Sequence, residues 1–242
     1  MKKICLVIVL VILFGLAVTP AYAGKFFDNF NDEDTIGWIS AKPCTWCSLG
    51  NWRVTDGVLI EDNGRDHYKF LVGNYSLSDQ SVETKILFHD NGYAGITVWY
   101  IDENNWIDVL IYPDANILRV IESEGTAQRY DYYDYPLTSI STRTIWYTMR
   151  VETNSLSGEL AIYLNDVYIL THIATTSNRI GLSGLNSGNG GGSFDDFTLT
   201  SDSIVGPPIG RVQCKNSSWK TFNNPAFKNQ GDCVSYLEKH QF

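Results

Sequence analysis

The chain has 242 residues, with 18 Lys and Arg against 27 Asp and Glu and a formal net charge of −9. An acidic surface of this kind disfavours nucleic acid and anionic membranes, and suits an extracellular protein that binds cations. The length is enough for one sandwich of ordinary size plus a small appendage.

Residues 1–23 read as a secretory signal peptide. Lys2 and Lys3 form a basic head, an apolar run follows from Ile4 to Val18, and Ala21-Tyr22-Ala23 fits a small-x-small cleavage site. The run is shorter than the roughly 18–20 residues that span a bilayer, so stable membrane insertion after cleavage is not expected. An uncleaved N-terminal anchor is the alternative. No cysteine follows at the lipoprotein position. Cleavage leaves 16 Lys and Arg against 27 acids, net −11, and four cysteines: Cys44, Cys47, Cys214 and Cys233. An even count in an exported chain reads as disulfides, with three possible pairings.

From Phe26 to Thr200 the pattern is a short strand followed by turn chemistry, repeated about a dozen times. Trp52-Arg53-Val54 runs into the turn pair Asp56-Gly57 and then Val58-Leu59-Ile60. Ser81 to Phe88 alternates with period two. Gly95 to Ile101 and Trp106 to Tyr112 flank a hairpin loop at Asp102–Asn105. Ile117 to Glu122, Trp146 to Glu152 and Glu159 to Leu164 follow. Asn165-Asp166 then turns the chain into Val167 to Leu170. Ile180 to Ser183 leads to a glycine-rich loop, Asn186 to Gly192, and Phe194-Asp195-Asp196-Phe197 opens the closing strand. No helix is expected before residue 200. This spacing indicates an all-β, antiparallel two-sheet sandwich or barrel, with the strands near Phe27 and Phe197 side by side.

After Thr200 the composition shifts. Residues 202–210 include Gly206-Pro207-Pro208 and read as a linker. Residues 211–242 carry Cys214, Trp219, Phe222, Phe227 and Cys233 and end in a short helix from Asp232 to His240. Too small to bury a core unaided, this tail needs a staple, and Cys214–Cys233 supplies one. Cys44-Thr45-Trp46-Cys47 has redox-motif spacing without a βαβ pattern around it, so it reads as a local disulfide; a four-cysteine zinc site shared with the tail is the alternative.

Several of these pieces occur together in a recognisable order: Asp28-Asn29-Phe30-Asn31-Asp32, Gly37-Trp38, Trp52 to Leu59, Ala94-Gly95-Ile96, Asp102 to Trp106, Trp146 to Val151, Gly181-Leu182 and Phe194 to Phe197. Residues 24–201 thereby resemble the concanavalin A-like lectin/glucanase superfamily, specifically its laminin G-like jelly rolls in bacterial secreted proteins. The tail is similar to a cysteine-bracketed segment recurring at the C-termini of exported bacterial proteins. The first resemblance implies a jelly roll and a broad choice of sugar binding, glycan cleavage or protein interaction. It also implies a structural calcium, held by an acid of the last strand and carbonyls of the early chain. Asp28, Asp195 and Asp196 are the metal-ligand candidates, because calcium takes six to eight oxygens from such groups.

The second constellation is aromatic. Sugars present C–H-rich faces that stack on rings, and hydroxyls that bond to Asp, Asn and Arg. Trp99, Tyr100, Trp106 and Tyr112 lie on adjacent strands, and Tyr130, Tyr132, Tyr133 and Tyr135 interleave with Asp131 and Asp134. Alternation assigns Thr97, Trp99 and Ile101 to one face and Ile96, Val98 and Tyr100 to the other. The ligand-binding candidates are Trp99, Trp106, Tyr112, Tyr132 and Asp134. No catalytic residue is assigned: glycoside hydrolysis needs two facing carboxylates, no Glu-x-Asp-x-x-Glu strand is present, and Asp108 and Glu83 each stand alone. His67, His89, His172 and His240 lack zinc spacing. The sequence therefore leads to an exported, non-catalytic carbohydrate-binding module. The alternatives are a glycan-degrading enzyme and an interaction module held to a protein or the cell envelope by its tail.

Overall fold

The computed structural model describes residues 24–44, 47–61, 67–89, 92–125, 129–138, 140–202, 211–215, 218–222 and 226–240. The signal segment and residues 203–210 of the linker lie outside them. The strands are β1 (Gly24–Asp28), β2 (Ile39–Ala41), β3 (Trp52–Thr55), β4 (Val58–Glu61), β5 (Tyr68–Val72), β6 (Ser81–Phe88), β7 (Tyr93–Asp102) and β8 (Asn105–Tyr112). They continue as β9 (Ile117–Glu124), β10 (Arg129–Pro136), β11 (Trp146–Asn154), β12 (Glu159–Leu164), β13 (Val167–Ile173), β14 (Leu182–Gly188) and β15 (Gly192–Ser201). Two 3-10 turns (Arg211–Cys214, Ser218–Thr221) and a helix, α1 (Gln230–His240), complete the described chain.

Two antiparallel sheets face one another. One has the order β13-β12-β11-β6-β15-β4-β3, with β1 added against β15; the other runs β10-β9-β8-β7-β14-β5-β2. The first and last strands of the sandwich lie side by side as the sequence indicates: Phe26 pairs with Leu199 and Asp28 with Phe197. The tight hairpins follow from residues that accept left-handed backbone. Asp56 and Gly57 sit at φ 54° and 71°, and Asn165 and Asp166 at 51° and 61°, the twist that joins two antiparallel strands through two residues.

The core between the sheets is aromatic where β1 meets β15. Trp38 stacks on Phe70 at 4.9 Å, and Phe197 meets it edge-on at 4.7 Å. Phe26, Phe30, Phe194 and Leu59 complete this region, all buried. Each such side chain contributes about 1.5–3 kcal/mol on leaving water. At the opposite lateral edge the sheets are joined by polar groups. His172 of β13 places Nε2 2.7 Å from Glu122 Oε1 of β9 and Nδ1 2.9 Å from the Tyr135 hydroxyl of β10.

Two sequence expectations change. Trp99 has φ 52° and lies within a register shift between Val98 and Asp102. This bulge breaks the alternation, so Trp99 turns into the core beside Ile96 and Val98, while Tyr100 goes to the outer face. The glycine-rich loop is also shorter than expected. Asn186 to Gly188 belong to β14, where Asn186 pairs with Lys69 and with Gly95. The tail forms its own small core from Cys214, Phe222, Cys233 and Leu237, stapled by the Cys214–Cys233 disulfide. Its Tyr236 hydroxyl is held above its ordinary pKa, first by burial and then by Asp28, Asp32 and Asp34 of the sandwich.

Candidate functional site

The seven-stranded sheet carries a second apolar cluster on its outer face: Ala41, Leu71, Tyr93, Tyr100, Trp106, Leu110, Ile121 and Leu182, with Tyr112 and Tyr130 against it. Strand register arranges this face in rows. Trp106 stands beside Ser123, which stands beside Tyr130. In the next row Thr97, Asp108, Ile121 and Tyr132 are neighbours, and in the one after Leu110, Arg119 and Asp134. The segment after β2 crosses over this face. Ala41 pairs with Lys69, the Tyr100 hydroxyl donates to the Lys42 carbonyl at 3.3 Å, and a Cys44–Cys47 disulfide closes the turn that follows.

A cleft of about 110 Å³ lies between this segment and the sheet. Pro43, Cys44, Cys47 and His67 line one side, and Trp106, Ile121, Tyr130 and Tyr132 the other. Trp106 is 4% exposed and fixed by its indole N–H to the Glu103 carbonyl at 3.1 Å; Tyr132 is 55% exposed. The rings step outward: Trp106 to Tyr130 is 5.6 Å and Tyr130 to Tyr132 is 6.4 Å between centroids. Beside the cleft, Tyr93 stacks on Tyr112 at 4.6 Å. The Arg119 guanidinium covers Tyr112 at 4.8 Å and Tyr132 at 5.5 Å, and Asp134 holds it through two bonds of 2.6 and 2.7 Å. Burial pushes the Tyr112 hydroxyl up to about 12, so it is a neutral donor at any ordinary pH.

Beneath Trp106 lies a closed polar network. Lys69 pairs with Asp108, both fully buried, and its ammonium sits 3.6 Å over the Trp106 ring. Asp108 also accepts from the Thr97 hydroxyl (2.6 Å) and the Asn186 amide (2.8 Å). Gly95 sits between Asn186 and Leu110 in its row, where an added Cβ would meet the Val109 carbonyl oxygen at 2.0 Å. Burial lowers the Lys69 pKa to about 8, against the opposing pull of Asp108.

Of the residues singled out from sequence, Trp106, Tyr112, Tyr132 and Asp134 share this face. Trp99 does not: it is fully buried, with its indole N–H bonded to the Ser78 carbonyl at 2.7 Å, and offers no ring to a ligand. Asp108 does not stand alone but anchors the network. Lys69, His67, Arg119 and the Cys44–Cys47 wall were absent from the candidates. An acid inside the apolar run Ile107 to Ile111 was the available signal, because a buried carboxylate requires a partner.

The carboxylates assigned to calcium have other partners. Asp28 accepts from the Phe30 amide (2.8 Å) and the Trp38 indole (2.7 Å), and burial raises its pKa. Asp195 accepts from the Asp196 amide at 2.7 Å, and Asp196, in a left-handed bulge, pairs with Lys85 at 2.5 Å. These side chains are not gathered round one point, and no group of three metal-ligating side chains occurs among the described residues. A second concavity, about 270 Å³, is lined by Glu122, Glu124, Asp131, Thr175 and Thr176. Asp131 and Glu122 are directly opposed across β9 and β10. Burial would raise Glu122, but His172 and the Thr175 and Thr176 donors outweigh it and hold the carboxyl below its usual range.

Fold and face together define a two-sheet jelly roll with a roofed aromatic cleft on one sheet. Solved structures share the fold. The chain is similar to the carbohydrate-binding module CBM66 from Bacillus subtilis, at 19% identity and a TM-score of 0.56 over 68% of this chain and 96% of that one. It is also similar to a β-glucanase of Bacillus licheniformis (12% identity, TM-score 0.52, 74% and 98% covered). A third likeness is to the metal-free carbohydrate recognition domain of Emp46p (12%, 0.53, 76% and 98%). At these identities the likeness concerns the fold and not the ligand. No protein-family model and no curated protein sequence matches the chain.

Proposed function

We propose that this chain is an exported, non-catalytic carbohydrate-binding module that holds a sugar in the cleft between the Cys44–Cys47 segment and the Trp106–Tyr130–Tyr132 wall. The observation that carries this reading is the graded set of rings, from buried Trp106 to exposed Tyr132, fixed on rigid strands beside polar groups. Two disulfides suit an oxidising compartment. Several neighbours in fold space bear carbohydrate-related names, which adds support of an analogical kind. The test is a glycan array followed by calorimetry: saturable binding without product, lost in Trp106→Ala and weakened in Tyr132→Ala, is the expected result. An unbound array sinks the proposal.

A glycan-cleaving reading rests on a different place, the opposed Glu122 and Asp131 in the acidic concavity. It is less favoured because hydrogen bonds from His172, Thr175 and Thr176 already engage Glu122. Reducing-sugar release that disappears in Glu122→Gln would put this reading ahead.

A further inference from the structure

We infer that the ligand is an oligosaccharide rather than a single sugar, and that the Arg119–Asp134 pair outside the cleft is a second subsite that receives the next unit of its chain. This rests on the carbohydrate reading above and goes beyond it by assigning a site that the cleft does not include.

The cleft is small. At about 110 Å³ it falls well below the roughly 300–1,000 Å³ of a pocket for a drug-sized molecule, so it takes one unit of a chain. Its outermost ring, Tyr132, is 55% exposed and opens the cleft onto the sheet. The rows of the sheet say what comes next. Beyond Asp108, Ile121 and Tyr132 the following neighbours on the same face are Leu110, Arg119 and Asp134. From Tyr130 to Asp134 the strand advances about 13 Å, the length of a short oligosaccharide and not of one ring. A chain leaving the cleft across Tyr132 therefore meets Arg119 and Asp134.

That pair is held more firmly than its exposure requires. Nε and Nη2 of Arg119 donate to the two oxygens of Asp134, and the guanidinium carbon lies 4.8 Å from the Tyr112 ring and 5.5 Å from the Tyr132 ring. Tyr112 is itself stacked on Tyr93 at 4.6 Å. An ion pair this close to water contributes little to stability, and fixing a long arginine side chain costs rotamer freedom. Preorganised groups for a ligand account for the arrangement. The side chains of Arg119 and Asp134 keep 27% and 44% of their surface in water. A guanidinium has five N–H donors and a carboxylate about four acceptor sites, so the two bonds between them use part of each. Sugar hydroxyls both donate and accept, which matches a donor and an acceptor fixed side by side. The hydrogen bond from Arg119 holds the Asp134 carboxyl below its usual range, so both groups stay charged and bonds to them are charge-assisted. The C–H face of the same sugar unit rests on Tyr132, the ring shared with the cleft.

The experiment measures the affinity of the full oxidised chain for length series, from monosaccharide to hexasaccharide, of β-glucan, xylan, mannan, galactan and fructan. In a series that binds, affinity should rise by about tenfold or more between the monosaccharide and the trisaccharide, as one charge-assisted hydrogen bond provides. Arg119→Ala should reduce that gain to within about threefold. Arg119→Lys keeps the charge but not the planar fork and should reduce it as well; it also carries the test if the alanine variant does not fold. Far-UV circular dichroism of both variants should match the wild type. Affinity that is independent of length, in binding abolished by Trp106→Ala, overturns this inference and leaves the carbohydrate reading standing. A gain with length that both Arg119 variants retain overturns the assignment of the second subsite to this pair. Binding to none of the series removes both readings together.

Discussion

Lys69 and Asp108 form an ion pair without solvent exposure on either side, and the ammonium of that pair lies directly over the ring of Trp106. A buried pair of this kind adds little net stability over a well-packed apolar replacement, whereas removing one partner leaves an uncompensated charge. Lys69→Met is therefore expected to destabilise the fold by about 3–5 kcal/mol, and adding Asp108→Leu should remove the uncompensated charge, leaving the cost of the Thr97 and Asn186 donors that lose their acceptor. Chemical denaturation of the two variants beside the wild type checks the contrast.

The same pair gives a pH signature with a definite sign. Lys69 titrates near 8 in the folded protein and at 10.5 by its ordinary value, so between these values the unfolded chain binds more protons. Stability from this group therefore rises as pH climbs from about 8 to 10.5. Melting curves of the wild type and the Met/Leu double variant across that window should diverge in favour of the wild type. A difference independent of pH would mean that Lys69 is not depressed.

Trp99 and Trp106 should separate stability from binding. Trp99 fills the core and bonds to Ser78, so Trp99→Ala costs about 3–5 kcal/mol, chiefly through the lost packing, since the Ser78 carbonyl keeps the Thr153 hydroxyl as a donor. It acts on binding only through the folded fraction. Trp106→Phe keeps most of the packing but loses the indole bond to Glu103 and part of the cleft wall. It should weaken glycan affinity while the melting temperature moves little. Affinity measured below the melting temperature of each variant distinguishes the two.

Much of this architecture was legible in the sequence because local chemistry and tertiary structure agree. Period-two alternation, the Asp56-Gly57 and Asn165-Asp166 turns, and paired Phe-and-acid strands at both ends give the sandwich and the meeting of β1 with β15. The face carrying Trp106, Tyr112, Tyr132 and Asp134 follows from the same alternation. Trp99 escaped because one left-handed residue inverts the alternation, and a tryptophan in that conformation has no local signature. Lys69 escaped because its partner lies 39 residues away in the chain, across two intervening strands. Asp28 and Asp196 have suitable chemistry for calcium; their contacts with the Trp38 indole and the Lys85 ammonium were not legible in the sequence, because both partners lie far along the chain or across a strand.

Those contacts at Asp28 have a measurable consequence. Its two oxygens join the start of the chain to Phe30 and Trp38, so Asp28→Ala should cost about 1–3 kcal/mol by leaving buried donors without acceptors. The same measurement tests the calcium expectation: a melting temperature unchanged between EDTA and added calcium counts against a structural ion at this rim. A rise with calcium that vanishes in Asp28→Ala would instead place a cation at the rim.

Glu122 should govern the acid limb of stability. It binds His172 of the opposite sheet together with the backbone amides of Thr175 and Thr176, and so ties β9 to β13 at the lateral edge of the sandwich. Its carboxyl is held below the usual value of 4.5, which means the unfolded state takes up the proton first as pH falls. The stabilisation is therefore complete above about 4.5 and is lost as pH drops through the depressed folded value. Glu122→Gln keeps the size but turns an amide donor toward groups that are themselves donors. It should cost about 1–3 kcal/mol at neutral pH. Its stability should also fall less steeply than the wild type's between pH 5 and pH 3. Parallel slopes in that range would mean that the Glu122–His172 contact does not hold the two sheets together.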